Sequence, residues 1–305
     1  MYYLEPNQDH RDLNLRQHYD ANASQLQADT AQHYDDCYRD YLFAWCNTDN
    51  LALHYGYWDS DAAYDQHQAL LNKNAILYEK AGIQPQHKVL DAGCGIGGSS
   101  IWMAREHGNH VTGITISAKQ AAYARQHAQR HQVADKVNFE VADFCTTAFP
   151  DESFDVVWAL ESSCHALRKA DFLAEAWRVL RKGGRLVVCD GFLLQRAFDD
   201  RQWQAVVACL NGWAVPNLCD RHEFTDLLSE QGFAEITCHD ISQQTQASAE
   251  YMYKVAKRLR PVQRISQWLG LRSQAQTANY EVGLAQYVLF SEKLTEYCIF
   301  TAEKI

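Results

Sequence analysis

The stretch Val89-Leu90-Asp91-Ala92-Gly93-Cys94-Gly95-Ile96-Gly97-Gly98 decides the fold. Its lead-in, His87-Lys88-Val89-Leu90, is β-branched and apolar, the pattern of a buried strand. The glycines that follow allow a sharp turn into a helix beginning near Ser99, because glycine adopts positive φ without a Cβ clash. Bare backbone there lets a ligand come close, and the helix N-terminus presents N–H groups without intrahelical partners. Gly93, Gly95 and Gly98 also satisfy the G-x-G-x-x-G spacing of dinucleotide sites, a weak signal on its own.

A dinucleotide site calls for an acidic residue about 20 positions on, ending the second strand, to hold the ribose hydroxyls. The second strand, His110-Val111-Thr112-Gly113-Ile114, ends instead in Thr115-Ile116-Ser117, and Lys119-Gln120 opens the next helix. Asp91, directly ahead of the glycine turn, would repel a diphosphate and suits a cationic ligand. An acid beside neutral glycines points to a sulfonium and amino-acid ligand.

With these residues in place, the chain resembles the class I S-adenosylmethionine-dependent methyltransferases. The matching segments are Asp91–Gly98, Gly113-Ile114-Thr115-Ile116-Ser117-Ala118-Lys119-Gln120 and Val141-Ala142-Asp143-Phe144. Phe149-Pro150-Asp151-Glu152-Ser153-Phe154-Asp155-Val156-Val157-Trp158 and Arg178-Val179-Leu180-Arg181-Lys182-Gly183-Gly184 complete the set, in the family's order. The local match is to the branch holding tocopherol, sterol side-chain and terpene-diphosphate methyltransferases and the cyclopropane fatty acid synthases. The resemblance implies S-adenosyl-L-methionine as methyl donor and S-adenosyl-L-homocysteine as product. It implies donor contacts from Asp91, Gly93, Gly95, Thr115, Gln120, Asp143 and Phe144, with Gln120 replacing the ribose-binding acid. Asp143 would accept from the adenine amino group while Phe144 stacks on the base. His54-Tyr55-Gly56-Tyr57-Trp58 resembles a lid that closes on the donor's amino-acid end, which makes Tyr57 a further contact.

Composition agrees with an enzyme of this kind. The 305 residues are 47% hydrophobic, enough for a sizeable core, and 22% charged. A net charge of −10 argues against nucleic acid as the main partner, since no basic excess supplies a phosphate footprint. The ten cysteines lie far apart without a C-x-x-C pair, and the thirteen histidines are scattered, so no metal site is expected. Residues 1–8 have no basic start or apolar run of a signal peptide, and no segment approaches the ~18 apolar residues of a membrane span. The expected location is cytoplasmic.

From residue 87 onward strand and helix patterns alternate: 87–92, 99–107, 109–114, 117–131, 136–141, 154–160, 170–180 and 184–190. That alternation predicts an α/β fold with a doubly wound, Rossmann-like parallel sheet. We expect one domain over 1–305, with an N-terminal helical lid (1–64), a donor-binding core (65–190) and the remaining sheet with its cover (191–305). Tyr34, Cys37, Tyr38, Tyr41, Leu42 and Trp45 recur at helical spacing in the lid. In the last part, helices are expected at 199–211 and 221–231, a strand near 233–240, one long helical cover over 246–291 and a final strand at 296–302.

Ligands of such sheets sit beyond the carboxyl ends of the strands. Asp91, Asp143 and Glu161 all fall there. Glu161-Ser162-Ser163-Cys164-His165-Ala166 resembles the sterol side-chain methyltransferase segment, which implies that Glu161 and His165 act on the acceptor. In the alkene-methylating relatives a π bond attacks the sulfonium methyl and leaves a carbocation, so a proton acceptor and aromatic faces are needed. Tyr55, Tyr57, Trp58, Phe192, Phe198, Trp203 and Trp213 are the candidate aromatics. Each residue also has an ordinary reading, as a cap, a turn or plain packing. The leading expectation is methyl transfer to an alkene or aromatic carbon of an isoprenoid or other lipidic molecule. N- or O-methylation of a small natural product, and a silent donor-binding scaffold protein, remain open. A basic run, Lys254, Lys257, Arg258, Arg260, Arg264 and Arg272, has no Asp or Glu from Tyr251 to Tyr280. It reads as a solvated face, a grip on an acceptor diphosphate or a contact with an anionic membrane.

Overall fold

A computed structural model describes residues 23–59 and 65–305. Residues 1–22 and 60–64 of the expected lid lie outside the described residues. Alternating apolar segments form five parallel strands, β1 (Lys88–Ala92), β2 (His110–Thr115), β3 (Val137–Val141), β4 (Phe154–Leu160) and β5 (Leu180–Leu193). Two more, β6 (Phe233–Asp240) and β7 (Thr295–Lys304), complete a sheet of order β3-β2-β1-β4-β5-β7-β6, with β7 antiparallel to both neighbours. The order reverses between β1 and β4, which opens a crevice at the carboxyl edge.

Period-two alternation divides the core. Val89, Val156 and Val187 face one side, while Leu90, Val157 and Val188 face the other. The first side is covered by α1 (Ala23–Ala44), α2 (Gln66–Lys80), α3 (Gly98–His107) and α4 (Ala118–Arg130), the second by α5 (Lys169–Val179) and α7 (Arg221–Gln231). Truncating a fully buried ring such as Phe172 or Phe224 to alanine would cost about 3–5 kcal/mol. Of the remaining helices, α6 (Asp200–Trp213), α8 (Ser242–Trp268) and α9 (Gln274–Ser291), α9 packs against both of the others at the carboxyl edge.

Two expectations are corrected. The strand expected at 184–190 runs from Leu180 to Leu193, because Phe154 of β4 pairs with Leu180 at one end and β7 supplies partners as far as Leu193 at the other. The cover expected as one helix over 246–291 is two. Gly270 turns the chain at φ +68°, and Ser273 caps α9, accepting from the Gln276 N–H at 3.2 Å in a capping box. The α1 helix carries the expected aromatic stripe, with Cys37 and Tyr41 buried. Among the described residues no helix is long and apolar enough to cross a membrane.

A strap over residues 51–58 crosses from α1 to α2. The Ser248 hydroxyl of α8 accepts from Gly56 N–H and Trp58 Nε1–H, both at 2.9 Å, and donates to Gln66 Oε1 at 3.0 Å. A Cβ on Gly56 would stand 2.6 Å from the Ala69 Cβ, so only glycine lets the strap lie this close.

Candidate active site

Asp91 leaves β1 into the crevice and is 3% exposed. Its Oδ2 accepts from Ser100 Oγ at 2.6 Å, and it has no ion pair among the described residues. Burial pushes its carboxyl up to about 7 against the help of Ser100. The turn that follows is tight. Gly93 sits at φ +94°, and a Cβ there would come within 2.4 Å of the Ser162 Cβ. Leu51, Leu53 and His54 of the strap, with Thr30 and Tyr34 of α1, roof a cavity over Asp91, Gly93 and Gly95.

Thr115 and Gln120 line the same cavity. Ser117 caps α4, its hydroxyl accepting the Gln120 N–H at 3.0 Å. Thr115 Oγ1 donates to Gln120 Oε1 at 2.7 Å, which fixes the amide and leaves its N–H2 end toward Gly95. Phe144 borders this cavity and an adjoining cleft, whereas Asp143 lines the cleft and not the cavity. Both Asp143 oxygens are engaged, by Gln27 Nε2 at 2.5 Å and the Cys145 N–H at 2.8 Å. Tyr57 does not line the cavity. Its N–H donates to the Ala69 carbonyl at 2.8 Å and its ring packs on the core. The strap reaches the cavity through Leu51, Leu53 and His54 instead.

Glu161 follows β4 with φ +50°, an uncommon backbone for a glutamate and one found where the surroundings impose it. Its N–H is held by the Cys189 carbonyl at 2.8 Å, and its Oε1 accepts from the Tyr55 N–H at 2.7 Å. Burial lifts its carboxyl to about 7, opposed chiefly by the charge of Lys73. Lys73 is fully buried, donates to Thr245 Oγ1 at 3.2 Å and lies 4.3 Å from the Tyr297 ring centre.

His165 closes a short turn, Ser163–His165. Its Nδ1 lies 3.2 Å from the Ala214 carbonyl, which can only accept, so Nδ1 carries the hydrogen. Nε2 then accepts from the Tyr34 hydroxyl at 2.9 Å. Burial lowers this imidazole to about 4, so it is neutral at physiological pH. Asp190, on β5, braces the turn by accepting from Ser163 Oγ at 2.7 Å and the Cys164 N–H at 2.8 Å.

Glu161 and His165 border two cavities at once. One is the Asp91 cavity. The other is walled by Tyr34, Tyr41, Trp45, Tyr55, Trp213 and Tyr297, with Phe290 and Leu289 beyond. Of the seven aromatics singled out from the sequence, Tyr55 and Trp213 are here. Phe192 packs on Phe224 and Phe300, and Phe198 and Trp203 fill a separate cluster under α6. Sequence reasoning missed Tyr34, Tyr41, Tyr297, Lys73 and Asp190 as site residues. Asp190 alone had a local signal, its place at the carboxyl end of a buried strand.

Sheet order, glycine turn and carboxyl-edge crevice define a Rossmann-like, class I architecture. A family model described as "Methyltransferase domain" matches residues 90–188. The chain is 36% identical over 257 residues to the 27-O-demethylrifamycin SV methyltransferase of Amycolatopsis mediterranei, covering 83% of this chain and 89% of that protein. It is 37% identical over 222 residues to the 2-methyl-6-phytyl-1,4-hydroquinone methyltransferase of Synechocystis, covering 70% of this chain and 65% of that one. Geranyl diphosphate C-methyltransferase from Streptomyces coelicolor, solved with S-adenosyl-L-homocysteine, shares the fold at TM-score 0.70 and 20% identity, over 92% of this chain and 98% of that one. The chain belongs to the S-adenosylmethionine-dependent methyltransferases. Its methyl donor is S-adenosyl-L-methionine.

Proposed function

We propose that this enzyme methylates an alkene or aromatic carbon of an isoprenoid or other lipidic small molecule, with Glu161 and His165 acting at the acceptor. The observation that carries this reading is their position on the shared wall of the two cavities. The donor fits the Asp91 cavity on one structural ground: a buried carboxylate raised to about 7 lacks a cation among the described residues, and an ammonium group supplies one. In this reading Asp91 holds the amino group, Thr115 and Gln120 the ribose, Phe144 and Asp143 the adenine end, and Gly93 and Gly95 give the room. Gln27 on Asp143 must then share or yield its place. Tyr57 acts through the strap and not by contact.

When bound, the donor supplies an electrophilic methyl on a cationic sulfur. The chain does the rest. The aromatic walls hold the acceptor in line, an effective-molarity gain, and exclude water. Their faces and the Glu161 carboxylate stabilise positive charge developing on the acceptor. Glu161, or neutral His165 through Nε2 once the Tyr34 hydroxyl yields its place there, takes the proton that leaves. A second reading, methylation of a hydroxyl, is favoured by two observations. The relative named for 27-O-demethylrifamycin covers the larger share of this chain, and neutral His165 also suits a hydroxyl proton.

The same proposal takes residues 1–305 as one domain with lid, core and cover, placed in the cytoplasm and touching membranes only peripherally. Incubation with methyl-labelled donor and a panel of prenylated quinols, prenyl diphosphates and polyketide alcohols, followed by fragment mass spectrometry, tests it. A label on carbon supports the first reading, and one on oxygen supports the second. No label on any panel member, with donor bound, rejects both acceptor classes.

A further inference from the structure

The basic run divides in the structure. Arg272 is taken by Asp40 in a two-pronged pair at 2.7 Å, and Lys254 lies 3.8 Å from Glu250. Lys257 leans over the Tyr253 ring at 5.2 Å. Arg258, Arg260 and Arg264 have no ion pair among the described residues. Beyond them the end of α8 and the turn to α9 turn apolar in full exposure. Trp268 is 85% exposed and Leu271 70%, with Val262, Ile265 and Leu269 also exposed, and Phe43 of α1 stands 80% exposed.

An apolar groove lies between α1, α8 and α9, with Phe43 and Val262 among its lining residues. Tyr41, Trp45, Trp213 and Met252 wall both this groove and the aromatic cavity beside Glu161. These four side chains thus stand between the exposed groove and the site.

We propose that the α8–α9 tip docks on an anionic phospholipid bilayer, and that the groove behind it admits the acceptor from the lipid. Two features select a bilayer over a protein partner. An exposed tryptophan with flanking leucines suits the headgroup–acyl boundary, where no fitted complement is required. The cations sit one to three helical turns behind Trp268, Arg264 about 6 Å back, at the depth of phosphate groups when the tip enters. No acid between Tyr251 and Tyr280 opposes them. The purpose rests on the lipidic-acceptor reading, but the docking itself does not.

Sedimentation of the full chain with vesicles separates the two. Phosphatidylcholine vesicles containing phosphatidylglycerol should carry the protein down at low salt, and pure phosphatidylcholine vesicles should do so at least about tenfold less well. The double variants Trp268→Ser/Leu271→Ser and Lys257→Gln/Arg258→Gln should each lose at least about tenfold in binding, with donor affinity by calorimetry unchanged as the check on folding. Failure of the intact protein to bind anionic vesicles, or equal binding by both variants, overturns the proposal. So does a dimer in sedimentation velocity that Trp268→Ser/Leu271→Ser abolishes, because a second copy would then be the occupant. Vesicle binding without any methylated lipid would leave docking in place and remove only the acceptor reading.

Discussion

The Tyr55 N–H donates to Glu161 Oε1 across 2.7 Å, tying the strap to the carboxylate that stands between the two cavities. Glu161→Gln keeps the shape and an acceptor for Tyr55 but loses the charge. We expect donor affinity to stay nearly intact while turnover falls about 10²-fold, the usual scale for lost acid–base or charge-stabilising help. Calorimetry and single-turnover rates check this, and normal turnover would remove Glu161 from the mechanism.

Turnover should rise with pH through about 7, where Glu161 ionises, since the carboxylate is the working form and His165 is already neutral well below that. The buried Lys73 charge favours that ionisation. Lys73→Met should therefore move the rising limb to higher pH, and Glu161→Gln should flatten it. A Lys73→Met profile with an unmoved midpoint would show that Lys73 only fills space.

Donor affinity has its own pH dependence. Burial raises Asp91 from 3.8 to about 7 in the free protein, so pairing with an ammonium group requires loss of a proton over this range. Affinity should climb between about pH 5 and 7, and Asp91→Asn should abolish the climb while weakening binding more than about tenfold. Titration calorimetry in buffers of different ionisation heat would report the released proton directly.

Gly95 stands at φ +53° beside Leu53 and the Gln120 amide. Gly95→Val adds both backbone strain and bulk to the cavity and should also cost more than about tenfold in donor affinity. Asp143→Ala should do the same if Gln27 yields Asp143 to the donor. A full-affinity Asp143→Ala, with its fold intact, assigns Asp143 to bracing α1.

Tyr34→Phe removes the hydroxyl that donates to His165 Nε2 but keeps the ring in the wall. With its donor gone, the imidazole loses one of its two anchors and its orientation. Turnover should fall about tenfold or more with donor affinity little changed. Equal kinetics in Tyr34→Phe and the parent would confine Tyr34 to packing.

The strand ends were legible in the sequence because their signals are local. Asp91, the glycine turn, Gln120 and Glu161 each sit within a few residues of the pattern that positions them. The walls of the second cavity were not, because helices distant in sequence build them. Tyr34 and His165 are 131 positions apart and meet only once α1 has crossed the crevice. Lys73 reads as an ordinary helix lysine until α8 and β7 bury it against Thr245 and Tyr297. The aromatic-rich 192–203 segment pointed the other way: its rings are core, since packing demands outnumber sites for ligands.

The Ser248 hydroxyl, which holds Gly56, Trp58 and Gln66 together, also sets an order of events. The strap it clasps roofs the Asp91 cavity through Leu51, Leu53 and His54. On the proposed donor placement, exchange of donor for spent product is expected to follow the opening of these bonds. Loosening the clasp would quicken the exchange of donor for spent product while the chemistry stayed the same.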